Sequence, residues 1–232
     1  MTIGVAFNKT IGGTSPGRWG LWLTALFAAI AFTSLAFLGL YPPGDATVAR
    51  AVQSVRIPGL DVVSEALYRA GLSPVFQVIA LVIAAVLFLR RYRLAAAFVL
   101  LAVAARGMAS LLKEIVERPR PSSPLVDISE QAGGFSFPSG HVLGTMLLLG
   151  FVIYLAQEKI VNRRLRLAVQ VSSVLVIGLM GLQRVYAGAH WPTDVLAAYL
   201  WGGVILFAVV QVYRFCAGCH WRPLLARIGG RS

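Results

Sequence analysis

The chain has 232 residues, of which 58% are hydrophobic and 13% charged, and a mean hydropathy of +0.76. A soluble domain of this length cannot bury that much apolar side chain, so the composition points to an integral membrane protein. The formal net charge of +12 would suit a nucleic-acid binder, but the lysines and arginines sit in short clusters at the ends of apolar runs. That is the pattern of membrane topology, and it argues against a nucleic-acid face.

Residues before Arg18 are polar and glycine-rich, and the apolar run after them is too long for a signal peptide. The reading is an uncleaved first span from Trp19 to about Tyr41, closed by Pro42-Pro43-Gly44-Asp45. From Ala46 to Gly71 apolar residues recur at helical spacing among charges, for example Val48, Val52 and Val55, then Val63 and Leu67. Pro58 and Gly59 split this stretch into two short helices, predicted to lie along the membrane surface. The second span is predicted from about Pro74 to Leu89 and the third from about Leu94 to Leu112, interrupted by Arg106. A polar loop runs from Lys113 to Gly140; the remaining spans are His141 to Ala156, Leu167 to Leu182 and Asp194 to Phe215. The expected fold is therefore one all-α membrane domain over 1–232, with six transmembrane helices and two interfacial helices between the first and second.

Six spans put both termini on one side, and the positive-inside rule selects the side. Thirteen of the 21 basic residues fall with the termini, accompanied by the single acid Glu158. That side is expected to be cytoplasmic, so the loops at 113–141 and 184–194 face outward together. Cys216 and Cys219 in FCAGCH match the spacing of a haem attachment site. Their place on the cytoplasmic side, with no further haem ligand in view, leaves a reduced pair of thiols as the expectation.

Three polar islands interrupt the apolar sequence. In Arg184–Asp194, RVYAGAHWPTD, a helix starting near Pro192 would set Asp194 one turn from His190, where a carboxylate fixes the imidazole tautomer. Arg184 adds a planar anion fork. In KEIVERPRP, Lys113 and Arg120 supply two further cations suited to a phosphoryl group. In FSFPSGH, Ser139, Gly140 and His141 open a helix, whose N-terminal N–H groups bind anions. Each island alone also fits a plainer reading: an interfacial arginine beside a satisfied histidine, a snorkelling basic cluster, or an ordinary serine N-cap. Arg106, an ionised group inside a span, either ties spans together or reaches the substrate.

Together, Lys113 through Arg120-Pro121, then Pro138-Ser139-Gly140-His141, then Arg184 through His190 to Asp194 resemble the three signatures of type 2 phosphatidic acid phosphatases. One departure is Gln183, where the family usually has serine before the arginine. The resemblance implies a lipid phosphatase in which His190 attacks phosphorus, Asp194 stabilises its imidazolium, and His141 protonates the leaving oxygen. It also implies that Lys113, Arg120, Ser139, Gly140 and Arg184 cradle the phosphoryl oxygens, with no metal and no cofactor. The expected substrate is a membrane lipid phosphate or diphosphate: undecaprenyl diphosphate, phosphatidylglycerophosphate or phosphatidate. A phosphotransferase, or a non-catalytic lipid-phosphate binder or transporter, stands as the alternative. The sequence sets no oligomeric state.

Overall fold

The computed structural model describes residues 16–229 apart from Arg56, with side chains for residues 17–55 and 57–218. The polar N-terminal segment before Pro16, and the side chains of Cys219 and the basic residues after it, lie outside the described residues. Among the described residues the chain forms helices and no strand. They are α1 (Pro16–Phe37), α2 (Asp45–Gln53), α3 (Leu60–Gly71), α4 (Ser73–Leu89), α5 (Arg93–Ala104), α6 (Met108–Val116), α7 (Gly140–Lys159), α8 (Arg163–Tyr186) and α9 (Pro192–Gly229). A 3₁₀ turn, Ala105–Gly107, joins α5 to α6 at the position of Arg106.

By length and composition, α1, the α5–α6 unit, α7, α8 and α9 can each cross a membrane. The expected second span is α4, whose 17 residues run about 26 Å at 1.5 Å per residue and meet α3 at a 72° bend. Only Leu72 separates the two, and α2 and α3 are the two short helices expected between the first and second spans. The third helical unit also runs past Leu112 to Val116, keeping Lys113 within a helix.

Outward faces carry bare apolar side chains: Leu21, Phe27 and Leu89 are 75%, 74% and 78% exposed. That surface is costly in water and ordinary in lipid. Helix α7 is the centre, packed by α5, α8 and α9. Its Leu148, Phe151 and Leu155 belong to one buried cluster with Ala80, Val99 and Tyr213, while Val142, Leu143 and Leu147 belong to a second with Ala102, Met180 and Ala198. Small residues let α7 and α9 approach: Leu206 fills the space beside Gly150, and Met146 the space beside Gly202.

At one end of the bundle, α2 and α3 lie against α8 beside the α6–α7 and α8–α9 loops. Gln53 stitches them together. Its amide donates to the carbonyls of Asp127 (2.7 Å) and Tyr186 (3.1 Å) and accepts from the Asp127 N–H at 3.1 Å. The basic residues Arg90 and Arg91 follow the C-terminus of α4, Lys159 ends α7 and Arg163 begins α8.

Candidate active site

The turn between α8 and α9 sets the geometry. Gly188 sits at φ +68°, in the left-handed region, and an added Cβ would strike the Asp127 carbonyl oxygen. The chain then folds back so that the N–H groups of Ala189 and His190 both donate to the Arg184 carbonyl, at 3.1 and 3.2 Å. Pro192 begins α9, and Asp194 reaches back to accept from the Trp191 N–H at 3.0 Å. Sequence and structure agree on this start, so Asp194 lies one turn from His190.

His190 is 3% exposed. Its Nδ1 lies 3.7 Å from Asp194 Oδ2 and 3.5 Å from Ser136 Oγ, whose hydroxyl donates to the same carboxylate oxygen. Its Nε2 lies 3.3 Å from Arg120 Nη1. A tautomer protonated on Nδ1 serves both sides, leaving the Nε2 lone pair toward the guanidinium. Burial pulls the His190 pKa down to about 4, outweighing the hydrogen bond and charge of Asp194, with Arg120 and Lys113 adding to the fall. The ring is therefore neutral at ordinary pH. Burial likewise lowers the Arg120 pKa, opposed by Asp194.

The other residues singled out from the sequence gather around this pair. Ser139 is the N-cap of α7 by position, yet its side chain makes no capping bond; its buried Oγ has no partner among the described residues. Its backbone N–H donates to the Asp194 carbonyl at 3.3 Å. Beside Gly140, the one atom within 4 Å of an added Cβ is Ala109 Cβ at 3.9 Å. His141 stacks on Tyr68 with ring centroids 6.0 Å apart, and the Arg184 guanidinium lies 5.2 Å from that same ring. His141 Nε2 is buried and, like Ser139 Oγ, has no partner among the described residues.

The cations are engaged by protein acceptors. Lys113 Nζ donates to the Phe135 carbonyl at 2.7 Å; Arg120 donates to the carbonyls of Gly133, Gly134 and Ala189 at 2.9, 3.0 and 2.6 Å. Arg184, read from sequence as an open fork, grips Glu130 through both terminal nitrogens at 2.8 and 2.5 Å. Its Nε donates to Gln183 Oε1 at 2.6 Å, and Gln183 Nε2 donates to Ser64 Oγ of α3 at 3.2 Å. Gln183 thus serves as the acceptor for Arg184. A polar cleft of about 400 Å³, lined in part by Asp61, Glu65, Asp127 and Tyr186, opens nearby and includes none of the residues singled out.

Several contributors escaped the sequence reading: Glu130, Ser136, Arg118, Asp45 and Gly71. Gly71 lies at the α3–α4 bend, where an added Cβ would collide with the His141 ring. Arg106 donates to the Gly71 carbonyl at 3.2 Å and stands 4.9 Å over the Phe76 ring, packed beside Gly144. Of its two readings, these contacts are those of a residue tying spans.

Fold and site together describe a helical membrane protein with a buried His–Asp pair among fixed cations, and residues 94–217 match the PAP2 superfamily, so the chain belongs to that family. The phosphatidylglycerophosphatase B of Bacillus subtilis (strain 168) is 29% identical over 169 residues, covering 71% of this chain and 81% of the relative. A decaprenylphosphoryl-5-phosphoribose phosphatase of Mycobacterium tuberculosis is 28% identical over 172 residues, covering 71% of this chain and 88% of the relative. The crystal structure of a transmembrane PAP2 type phosphatidylglycerolphosphate phosphatase from Bacillus subtilis superposes with a TM-score of 0.69 at 23% identity. That superposition covers 80% of this chain and 94% of the other.

Proposed function

We propose that this chain is a membrane lipid phosphatase that cleaves a lipid phosphate or diphosphate through a phosphohistidine on His190. The observation that carries the reading is that two of the three orphaned buried polar atoms among the described residues, Ser139 Oγ and His141 Nε2, lie at the first turn of α7 beside an Asp-backed neutral histidine. Buried polar groups without partners are costly, and a phosphoryl group bringing several acceptor oxygens would satisfy them. His190 Nε2 attacks phosphorus while Asp194 stabilises the resulting imidazolium. His141 gives its proton to the departing oxygen and then takes one from the water that releases phosphate. Lys113, Arg120 and Arg184, with Ser139 and the N–H groups at Gly140, hold the equatorial oxygens as charge develops.

The relatives' names support phosphorylated membrane lipids as the substrate class. The charge distribution supports a single domain in the cytoplasmic membrane, termini inside, with the site at the outer face. Arg90, Arg91, Lys159 and Arg163 lie at the helix ends remote from His141 and Arg184. Phosphate release by purified protein from phosphatidylglycerophosphate, phosphatidate and undecaprenyl diphosphate tests the proposal, with His190→Ala as control. Release from at least one lipid, abolished in the variant, is expected. Lipid binding without release would identify a binder, and release by the variant within tenfold of the parent would remove His190 from its role.

A further inference from the structure

Arg118 has no role in the function proposed above, yet its guanidinium is hydrogen-bonded to three side chains at this end of the bundle. It is 2% exposed. Its Nη1 donates to Asp194 Oδ1 at 2.6 Å and to Thr193 Oγ1 at 2.7 Å, and its Nη2 donates to Asp45 Oδ2 at 2.6 Å. Its guanidinium lies 4.5 Å from the Tyr41 ring. Its backbone carbonyl accepts from the Ser136 N–H at 2.8 Å, fixing the residue whose hydroxyl bonds Asp194. One residue, through side chain and backbone together, thereby joins the loop carrying Arg120, the approach to Ser139, and the start of α9.

Asp45, from the first turn of α2, completes the group. Its Oδ1 accepts the Thr193 N–H at 3.0 Å, capping α9 from outside that helix, and its Oδ2 accepts the Thr193 hydroxyl at 2.6 Å. Asp45 lies outside the matched stretch of residues 94–217. Electrostatics gives this arrangement a purpose beyond adhesion. An arginine bonded to Asp194 alone would neutralise the carboxylate that must stabilise a positive His190. Sharing Arg118 between two carboxylates leaves the Asp45–Arg118–Asp194 group with one net negative charge. That charge matches the one His190 acquires when Nε2 bonds phosphorus.

We infer that Asp45 and Arg118 are positioning residues for the phosphoryl-transfer step, holding Asp194 in place and keeping its group singly negative toward His190. The inference rests on His190 being the nucleophile. Asp45→Asn keeps the shape of the cap at Thr193 and removes the charge. It is expected to lower kcat about 10- to 100-fold with KM for the lipid within about twofold, while Asp45→Glu, which keeps the charge, retains kcat within about fivefold. Both measurements are made on parent protein first shown to lose turnover on His190→Ala, so failure of the nucleophile assignment is seen separately. A lowered Tm with unchanged kcat in Asp45→Asn, or equal losses of kcat in the Asn and Glu variants, would overturn the inference. Where Asp45→Asn does not fold, Arg118→Lys decides. It preserves the net charge, so kcat within about tenfold of parent supports the charge account, and a deeper loss contradicts it.

Discussion

The two sides of the site are built on opposite plans. Around Asp194, each carboxylate oxygen is engaged: Oδ1 by Arg118, Oδ2 by Ser136 and the Trp191 N–H. Around α7's first turn, Ser139 Oγ and His141 Nε2 are buried and, like Arg118 Nε on the first side, have no partner among the described residues. A satisfied network rigidifies the groups it holds, and unsatisfied buried groups are tolerated where something else completes them. In the function proposed, the first side holds His190 ready before substrate arrives. The second is completed by the substrate. Glu130 stands between these plans, a carboxylate filling the fork of Arg184 that a phosphoryl group would fill.

The largest effect is expected where the unsatisfied side has no tolerance. Gly71→Ala would push a methyl into the His141 ring, displacing the proposed proton donor. Its kcat should fall about 100-fold on a phosphate monoester. The loss should be smaller on a diphosphate, whose phosphate leaving group needs little protonation. Equal losses on both substrates would mean that Gly71 serves packing and not the acid.

Next in size is Glu130→Gln, which keeps one of the two bonds to Arg184, since an amide nitrogen cannot accept, and drops the competing charge. Inhibition by inorganic phosphate should strengthen by roughly three- to tenfold, because charge-assisted pairs are about twice as strong as neutral ones. The substrate KM should fall with it. A rise in KM would show that Glu130 orients Arg184 for substrate instead of standing in its place.

Arg106→Met is expected to act on stability. It removes the bond to the Gly71 carbonyl and the contact with Phe76, a loss of about 1–3 kcal/mol. Thermal unfolding in detergent should show a lowered Tm with KM unchanged. A raised KM at parental Tm would place Arg106 on the substrate.

The smallest and most local effect concerns protonation on the satisfied side. Because burial holds His190 near pKa 4, its ring should stay neutral as pH falls through 6.5, as seen by ¹⁵N NMR of histidine-labelled protein with His190→Ala for assignment. The unfolded chain takes up this proton near 6.5 and the folded one near 4. Stability contributed by the neutral ring is thus complete above about 6.5 and lost as pH falls toward about 4. An ordinary titration near 6.5 would show that the site is wetter than its geometry indicates.

Local and periodic signals made much of this protein legible in its sequence. Apolar runs define helices because lipid leaves the backbone no other partner. Pro192 and the four-residue step from His190 to Asp194 predict a helix start and a shared face, since both depend on neighbours along the chain. The same logic separates α3 from α4 but cannot give the 72° bend between them. It also left Arg106 open between two roles that only its contacts with Gly71 and Phe76 distinguish.

What only the tertiary structure decided is which charges meet. Asp45 and Arg118 are 73 residues apart, Arg118 and Asp194 are 76 apart, and Glu130 and Arg184 are 54 apart. No periodicity links such positions; in the sequence Asp45 is the end of a turn, Glu130 a loop acid and Arg118 one more membrane-edge cation. Helix packing brings them within hydrogen-bond distance, and burial then obliges each charge to find an opposite one, because an isolated ion in a low-dielectric interior is too costly to keep.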